Sequence, residues 1–83
     1  MSAKRQLTAR EMHAGQSGVV IQISGGHGLV RRLEALGIRP GKRVTKVSSM
    51  FMRGPVTLQI DHFQVAIGYG MAGRILVEVD RAA

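Results

Sequence analysis

The sequence predicts a small, mainly β, barrel-like domain of about five strands, with one short α-helix between the first two strands. Three observations support this fold class. The chain has 83 residues, which leaves room for one small core and no second one. Most of its apolar runs alternate with polar residues, as strands with one buried face do. Eleven glycines punctuate these runs, and glycine accepts the positive φ values that tight turns between short strands require.

The alternation places the strands along the chain. In the first predicted strand, one apolar face is formed by Val19, Ile21 and Ile23. In the second, Val44 and Val47 are three residues apart, which predicts a bulge that lets both reach the core. Phe63 begins the fourth and is expected in the core. The predicted strands cover residues 17–24, 42–49, 55–61, 63–68 and 74–80.

A helical pattern interrupts the strands. Leu29, Leu33 and Leu36 recur at helical spacing and predict one short amphipathic helix. Gly37 is placed to take the left-handed conformation just past its C-terminus, and Ile38 to make the apolar contact that closes such an end.

The connections carry turn signals. Pro40 and Gly41 occupy the two central positions of a tight turn, and Gly54 with Pro55 marks a turn before the third strand. Residues 61–62 have the spacing of a two-residue hairpin loop.

The N-terminal part is predicted to be less regular. Residues 1–6 read as a flexible arm, and residues 7–83 as a single domain. Thr8 as N-cap and Glu11 three residues later predict a helical turn, with Met12 as its buried anchor.

The composition excludes several classes of protein. With no cysteine, the chain has neither disulfides nor thiolate metal sites. No apolar run approaches the ~20 residues of a membrane span, and no apolar segment of a secretion signal follows the basic N-terminus. We therefore expect a cytoplasmic protein. A net charge of +7 favours an acidic partner without naming it.

Residues with catalytic or ligand-binding chemistry are scarce. His13, His27 and His62 are far apart and lack ligand-spaced neighbours, so no metal site is predicted. The serines have no His-plus-acid arrangement. The glycines at 25–28 precede a helix, but the Lys-Ser/Thr pair of a phosphate-binding loop is missing. We expect neither an enzyme nor a bound cofactor.

One loop is unusually apolar for a strand connection. Met50, Phe51 and Met52 are suited to insertion into a partner's groove, or to folding back over the open end of the barrel. Together with Arg31 and Arg32 on the helix, they form the predicted partner-binding surface.

The order of these motifs resembles the FeoA family of ferrous-iron transport proteins. The resemblance spans nearly the whole chain, and its most specific stretch is the helix that ends in Leu-Gly-Ile-Arg-Pro-Gly at 36–41. It implies an SH3-like barrel without established catalytic residues, and a partner in FeoB, a membrane transporter with an N-terminal GTP-binding domain. The chain departs from the family at His62, where glycine is usual, at Lys46, where an apolar residue is usual, and at residues 50–52.

Two other functions remain open. The charge favours a barrel that binds nucleic acid or the ribosome, although few aromatic side chains are available to stack on bases. The chain could instead be a free copy of the barrel domain found in metal-dependent repressors. Weak homo-oligomerisation is also left open.

Overall fold

The computed structural model describes residues 4–49 and 54–80. All five predicted strands are present within these ranges, and the mainly β prediction is confirmed. The strands form one antiparallel sheet in the order β1-β6-β2-β3-β4-β5. The elements are β1 (Lys4–Thr8), β2 (Ser17–Ile23), α1 (His27–Ala35), β3 (Arg43–Ser49), β4 (Val56–Ile60), β5 (Phe63–Ile67), α2 (Tyr69–Ala72) and β6 (Ile75–Asp80).

The sheet curls around a single core. Both of its halves bury fully inaccessible side chains in the same apolar cluster, as the opposite sides of a curved, barrel-like sheet do. Helix α1 adds Leu33 to this cluster. The side chains that the sheet contributes include Val20, Ile75 and Val77 from one half, and Val44, Leu58 and Ile60 from the other.

The first strand, β1, lies where the sequence predicts the end of a flexible arm. Residues 4–6 belong to this strand, which pairs with β6 from Lys4–Asp80 to Thr8–Leu76. Only Leu7 reaches the core, so the strand has no apolar alternation to reveal it. Its pairing depends on backbone hydrogen bonds, which do not require apolar side chains.

Strand β2 buries the opposite residues from those the alternation suggests. The apolar face predicted through Val19 is half-exposed, and Gly18 and Val20 are buried instead. Gly18 lies so close to the neighbouring strand that a Cβ atom there would come within 2.5 Å of Cγ1 of Val77. A register shift after Val20 then brings Ile23 against the core.

Strand β3 has the predicted bulge, between Lys46 and Ser48. The expectation that it would bury both valines is wrong for one of them. Val44 is fully buried, but Val47 is 36% exposed and Lys46 is only 2% exposed. Strand β3 therefore buries the amino group of Lys46 next to the bulge. Lys46 is the only charged residue in the described part of the core.

The predicted helical turn after β1 is confirmed as a capping box. The backbone N–H of Thr8 donates to Oε1 of Glu11 at 2.8 Å, and the N–H of Glu11 donates to Oγ1 of Thr8 at 3.3 Å. Met12 is buried, as expected.

Neither helix in the described part of the chain is long and apolar enough to cross a membrane.

Candidate partner-binding surface

Helix α1 presents a basic face to solvent. Its apolar side contributes Leu29 and Leu33 to the core, while Arg31 and Arg32 are exposed. Neither arginine forms an ion pair with a carboxylate of the described residues. Both are exposed, and their contact with an acidic partner stays a prediction.

The helix ends in the predicted glycine motif. Gly37 has a φ of 92°, and its N–H donates to the carbonyl oxygen of Glu34 at 2.9 Å. The N–H of Ile38 donates to the carbonyl oxygen of Leu33 at 3.0 Å. These two bonds define a Schellman motif, and Ile38 is fully buried just after it.

A tight turn follows directly and is also as predicted. Gly41 has a φ of 92°, and the N–H of Lys42 donates to the carbonyl oxygen of Arg39 at 3.0 Å. The Lys42 ammonium lies 2.6 Å from Oδ2 of Asp61. This ion pair joins the turn at Pro40 to the tip of the β4–β5 hairpin.

The β4–β5 hairpin leaves Phe63 at the surface, contrary to the prediction from the sequence. Asp61 and His62 form the two-residue loop between the paired residues Ile60 and Phe63, and Asp61 has a φ of 54°. Phe63 was expected in the core but is 47% exposed. Its ring lies beside Gly37, since a Cβ atom there would be 3.6 Å from Cζ of Phe63. The helix end therefore occupies the space beneath the ring and leaves its outer part in solvent.

These features lie at one end of the sheet. We call the hairpin-end surface the set formed by Arg39, Lys42, Arg43, Asp61 and Phe63. Arg43 and Asp61 also line one shallow polar depression. Three cations and one carboxylate make this surface positive, with an exposed aromatic ring beside them.

The predicted apolar loop, Met50, Phe51 and Met52, lies outside the described residues. Its flank is described: Gly54 is half-buried and Pro55 is exposed, and both lead into β4.

An arginine–aromatic contact ties the N-terminal turn to α2. The guanidinium of Arg10 lies 4.1 Å from the centre of the Tyr69 ring, and its Nε donates to the Tyr69 carbonyl oxygen at 3.2 Å. Gly73 lies directly under the guanidinium. A nearby shallow depression of about 170 Å³ is lined by Thr8, Gln22, Ser24, Gly73, Arg74 and Leu76.

The amino group of Lys46 reaches backbone carbonyls rather than a carboxylate. It donates to the carbonyl oxygen of Arg10 at 2.9 Å and to that of Met12 at 2.5 Å. Burial lowers the pKa of Lys46 from its ordinary value of 10.5, because a desolvated ammonium is unfavourable. The sequence contained the signal for this position, since Lys46 follows the buried Val44 at strand spacing.

One carboxyl group is also perturbed. The backbone N–H of Thr8, and then its hydroxyl, lower the pKa of Glu11 because they donate hydrogen bonds to its charged form.

The three histidines do not converge. His13, His27 and His62 are all exposed. Within residues 4–49 and 54–80, no three His, Asp or Glu side chains are grouped so that they could hold a metal ion. The contact features found here are a positive helix face and the hairpin-end surface.

The fold and these surfaces define an SH3-like barrel, as found in the solved FeoA of Stenotrophomonas maltophilia, described as a prokaryotic SH3 domain protein. Residues 7–79 match the family model described as the FeoA domain. The chain therefore belongs to the FeoA family, which is associated with ferrous iron transport. It is 33% identical over 64 residues to the "Putative Fe(2+) transport protein A" of Methanocaldococcus jannaschii, covering 77% of this chain and 76% of that protein.

Solved structures agree with this family. A crystal structure described as iron uptake regulatory protein (FeoA) has a TM-score of 0.80 and 34% identity, covering 88% of this chain and 95% of that one. The S. maltophilia protein, solved in complex with zinc, has a TM-score of 0.75 and 26% identity, covering 92% and 99%. A manganese-dependent transcriptional repressor has a TM-score of 0.83 at 22% identity, covering 95% of this chain and 44% of the repressor. At that identity it shares the fold alone.

Proposed function

We propose that this protein is a non-enzymatic, cytoplasmic accessory protein of ferrous iron uptake. It binds the cytoplasmic part of a FeoB-type transporter and modulates the assembly or activity of that transporter through surface contacts. The observation that carries this proposal is the match of residues 7–79 to the FeoA domain.

The described surface supports a binding role. Most of the fold's polar chemistry is structural: the Lys46 amino group holds two backbone carbonyls, and Glu11 closes a capping box. The groups left for a partner are exposed cations and one half-exposed ring, such as Arg31, Arg32 and Phe63. Such groups suit recognition of an acidic protein face.

Binding to the transporter is the first test. Purified protein is titrated against the transporter's cytoplasmic region by calorimetry, and GTP hydrolysis and iron transport are measured with and without it. Saturable binding together with a change in either activity supports the proposal. Absence of binding at the highest reachable concentration refutes it.

Variants then locate the contact. Phe51→Ala and Met50→Ala test the apolar loop, and full retention of binding by both removes that loop from the proposed surface. Arg31→Glu combined with Arg32→Glu tests the helix face, because two charge reversals oppose docking on an acidic surface. Each single reversal, Arg31→Glu or Arg32→Glu, is compared with Arg5→Glu on the edge strand β1, which makes the same change of net charge away from the helix.

The repressor fold supports a second candidate, a free copy of a repressor barrel that binds a peptide segment. Its support is the shared fold with the manganese-dependent repressor. Cross-linking in cells distinguishes the two candidates, since capture of a transcriptional regulator without any transporter favours the second.

A further inference from the structure

Strand β5 is an unprotected edge of the described sheet. The sheet's other edge, β1, carries Lys4 and Arg5, and charges of this kind discourage the addition of another strand. The sequence of β5 is Phe-Gln-Val-Ala-Ile, with no charge and no proline. Its register with β4 is continuous, without a bulge. Nothing in β5 itself therefore opposes pairing with a further strand.

The hairpin determines which backbone groups of β5 face outward. In a two-residue hairpin the first pair after the loop is hydrogen-bonded, and bonded pairs then alternate along the strand. Phe63, Val65 and Ile67 thus direct their N–H and C=O groups toward β4. Gln64 and Ala66 direct theirs away from the sheet. Both are exposed, and within the described ranges neither backbone group has a hydrogen-bond partner beyond β4.

The residues near this edge indicate which kind of polypeptide segment would pair with it. Phe63, at the start of β5, offers a half-exposed ring to an incoming apolar side chain. At the same end, Lys42 is paired with Asp61 at the hairpin tip, and Arg43 lines the depression beside Asp61, so among the described residues the ion pair leaves Arg43 as the uncompensated cation there. Acidic side chains of an added strand would be attracted to this end.

We propose that the β5 edge binds an extended acidic segment of a partner protein as an additional antiparallel strand. Because β5 runs from Phe63 to Ile67, the C-terminal end of the added strand lies beside Phe63, and its acidic residues belong there. The inference rests on the proposed binding function and deepens it by assigning the contact surface and the conformation of the partner.

A second copy of the chain fits this edge less well. Pairing of two β5 edges would bring together two chains of net charge +7, which repel each other, whereas an acidic segment is attracted.

The first test removes one outward donor. Ala66→Pro deletes an N–H that points away from β4, a position where an edge strand tolerates proline. Ala66→Thr keeps the N–H and is the matched control. We expect Ala66→Pro to weaken calorimetric binding to the transporter's cytoplasmic region about tenfold, and Ala66→Thr to stay within about twofold of wild type. Equal binding by the folded proline variant overturns the inference.

The second test needs no variant. Hydrogen exchange of the wild-type amides is followed by NMR as the transporter's cytoplasmic region is added. We expect the exchange of Gln64 and Ala66 to slow at least tenfold on binding, because their N–H groups acquire acceptors. Binding that leaves both amides unchanged refutes strand addition while the docking function stands.

The third test is independent of the transporter. The probe is a synthetic peptide, Thr-Val-Thr-Val-Thr-Glu-Glu, compared with the same peptide ending in Lys-Lys. The acidic peptide is expected to shift the amide signals of Gln64 and Ala66, and the basic one to have a much smaller effect. If these shifts occur but the transporter does not bind, the proposed function fails and the edge site stands. If neither peptide shifts these signals, or if the amides become protected with rising protein concentration alone, the inference is overturned.

Discussion

Replacing Lys46 by methionine is expected to destabilise the protein by about 1–3 kcal/mol. Lys46 is 2% exposed, and its amino group joins β3 to the turn after β1 through the carbonyl oxygens of Arg10 and Met12. Methionine keeps most of the apolar stem and removes only the donor. The change therefore isolates the contribution of the amino group.

The magnitude follows from how deeply each bond lies. The bond to Met12 is buried and the bond to Arg10 is part-buried, so water can replace the second more easily than the first. A buried carbonyl left without a donor costs about 1–3 kcal/mol. Lys46→Met also removes the cost of desolvating the amino group. This gain offsets part of the stability that is lost with the two charge-assisted hydrogen bonds.

Equilibrium urea unfolding measures the effect. Circular dichroism follows the sheet, and fluorescence of Tyr69 gives a second signal, since the chain has one tyrosine and no tryptophan. Lys42→Met is the matched control, because it removes an amino group from a surface ion pair that contributes about 0–1 kcal/mol. If Lys46→Met is as stable as wild type, the desolvation cost outweighs the hydrogen bonds and the reasoning is wrong.

The stability of wild type should also depend on alkaline pH. Burial lowers the pKa of Lys46 in the folded state below its ordinary value of 10.5. Between the two values the unfolded chain binds more protons, so the free energy of unfolding rises with pH. This contribution is complete above about pH 10.5 and is lost as the pH falls through the folded-state value. Lys46→Met should lack this slope, and an identical pH profile for both proteins would contradict the assignment.

Three further changes test local features. Glu11→Gln should lower the unfolding free energy by about 0.5 kcal/mol at neutral pH. Because Thr8 lowers the pKa of Glu11, the stabilisation by Glu11 in wild type is present above pH 4.5 and is lost as the pH falls through the folded-state pKa. Acid titration of stability should show this loss in wild type and not in the variant. Gly37→Ala should cost about 1–2 kcal/mol in urea unfolding, since its φ of 92° is unfavourable for a residue with a Cβ atom. Gly73→Ala should displace the Arg10 guanidinium from the tyrosine ring, which the ring's NMR shifts would report, and unchanged shifts would argue against that contact.

Much of the fold could be predicted because it depends on residues close in sequence. The Schellman motif at Gly37, the turn at Gly41 and the capping box at Glu11 each arise within six residues, where backbone preference and hydrogen bonding decide the conformation. The alternation in β4 and β6 likewise marked residues that are buried.

The candidate site was predictable only in part, because some of its features depend on residues that are distant in sequence. Arg31 and Arg32 are exposed as expected, because the helical period places them off the apolar face. Phe63 is exposed because the end of α1 lies under its ring, a contact between residues that are distant in sequence. The open edge of β5 depends on the order of all six strands.

The sequence by itself determined the mainly β class, the helix with its end, the turns and the FeoA family. Only the tertiary structure decided that Lys46 is inside, that Val47 is outside, and that Gly18 and Val20 face the core. Each of these outcomes depends on a neighbouring strand or turn: the side chain of Val77 leaves no space for a Cβ atom at Gly18, and two carbonyls of a distant turn accept the Lys46 protons. Side-chain periodicity describes one strand at a time, whereas burial is decided by what lies opposite.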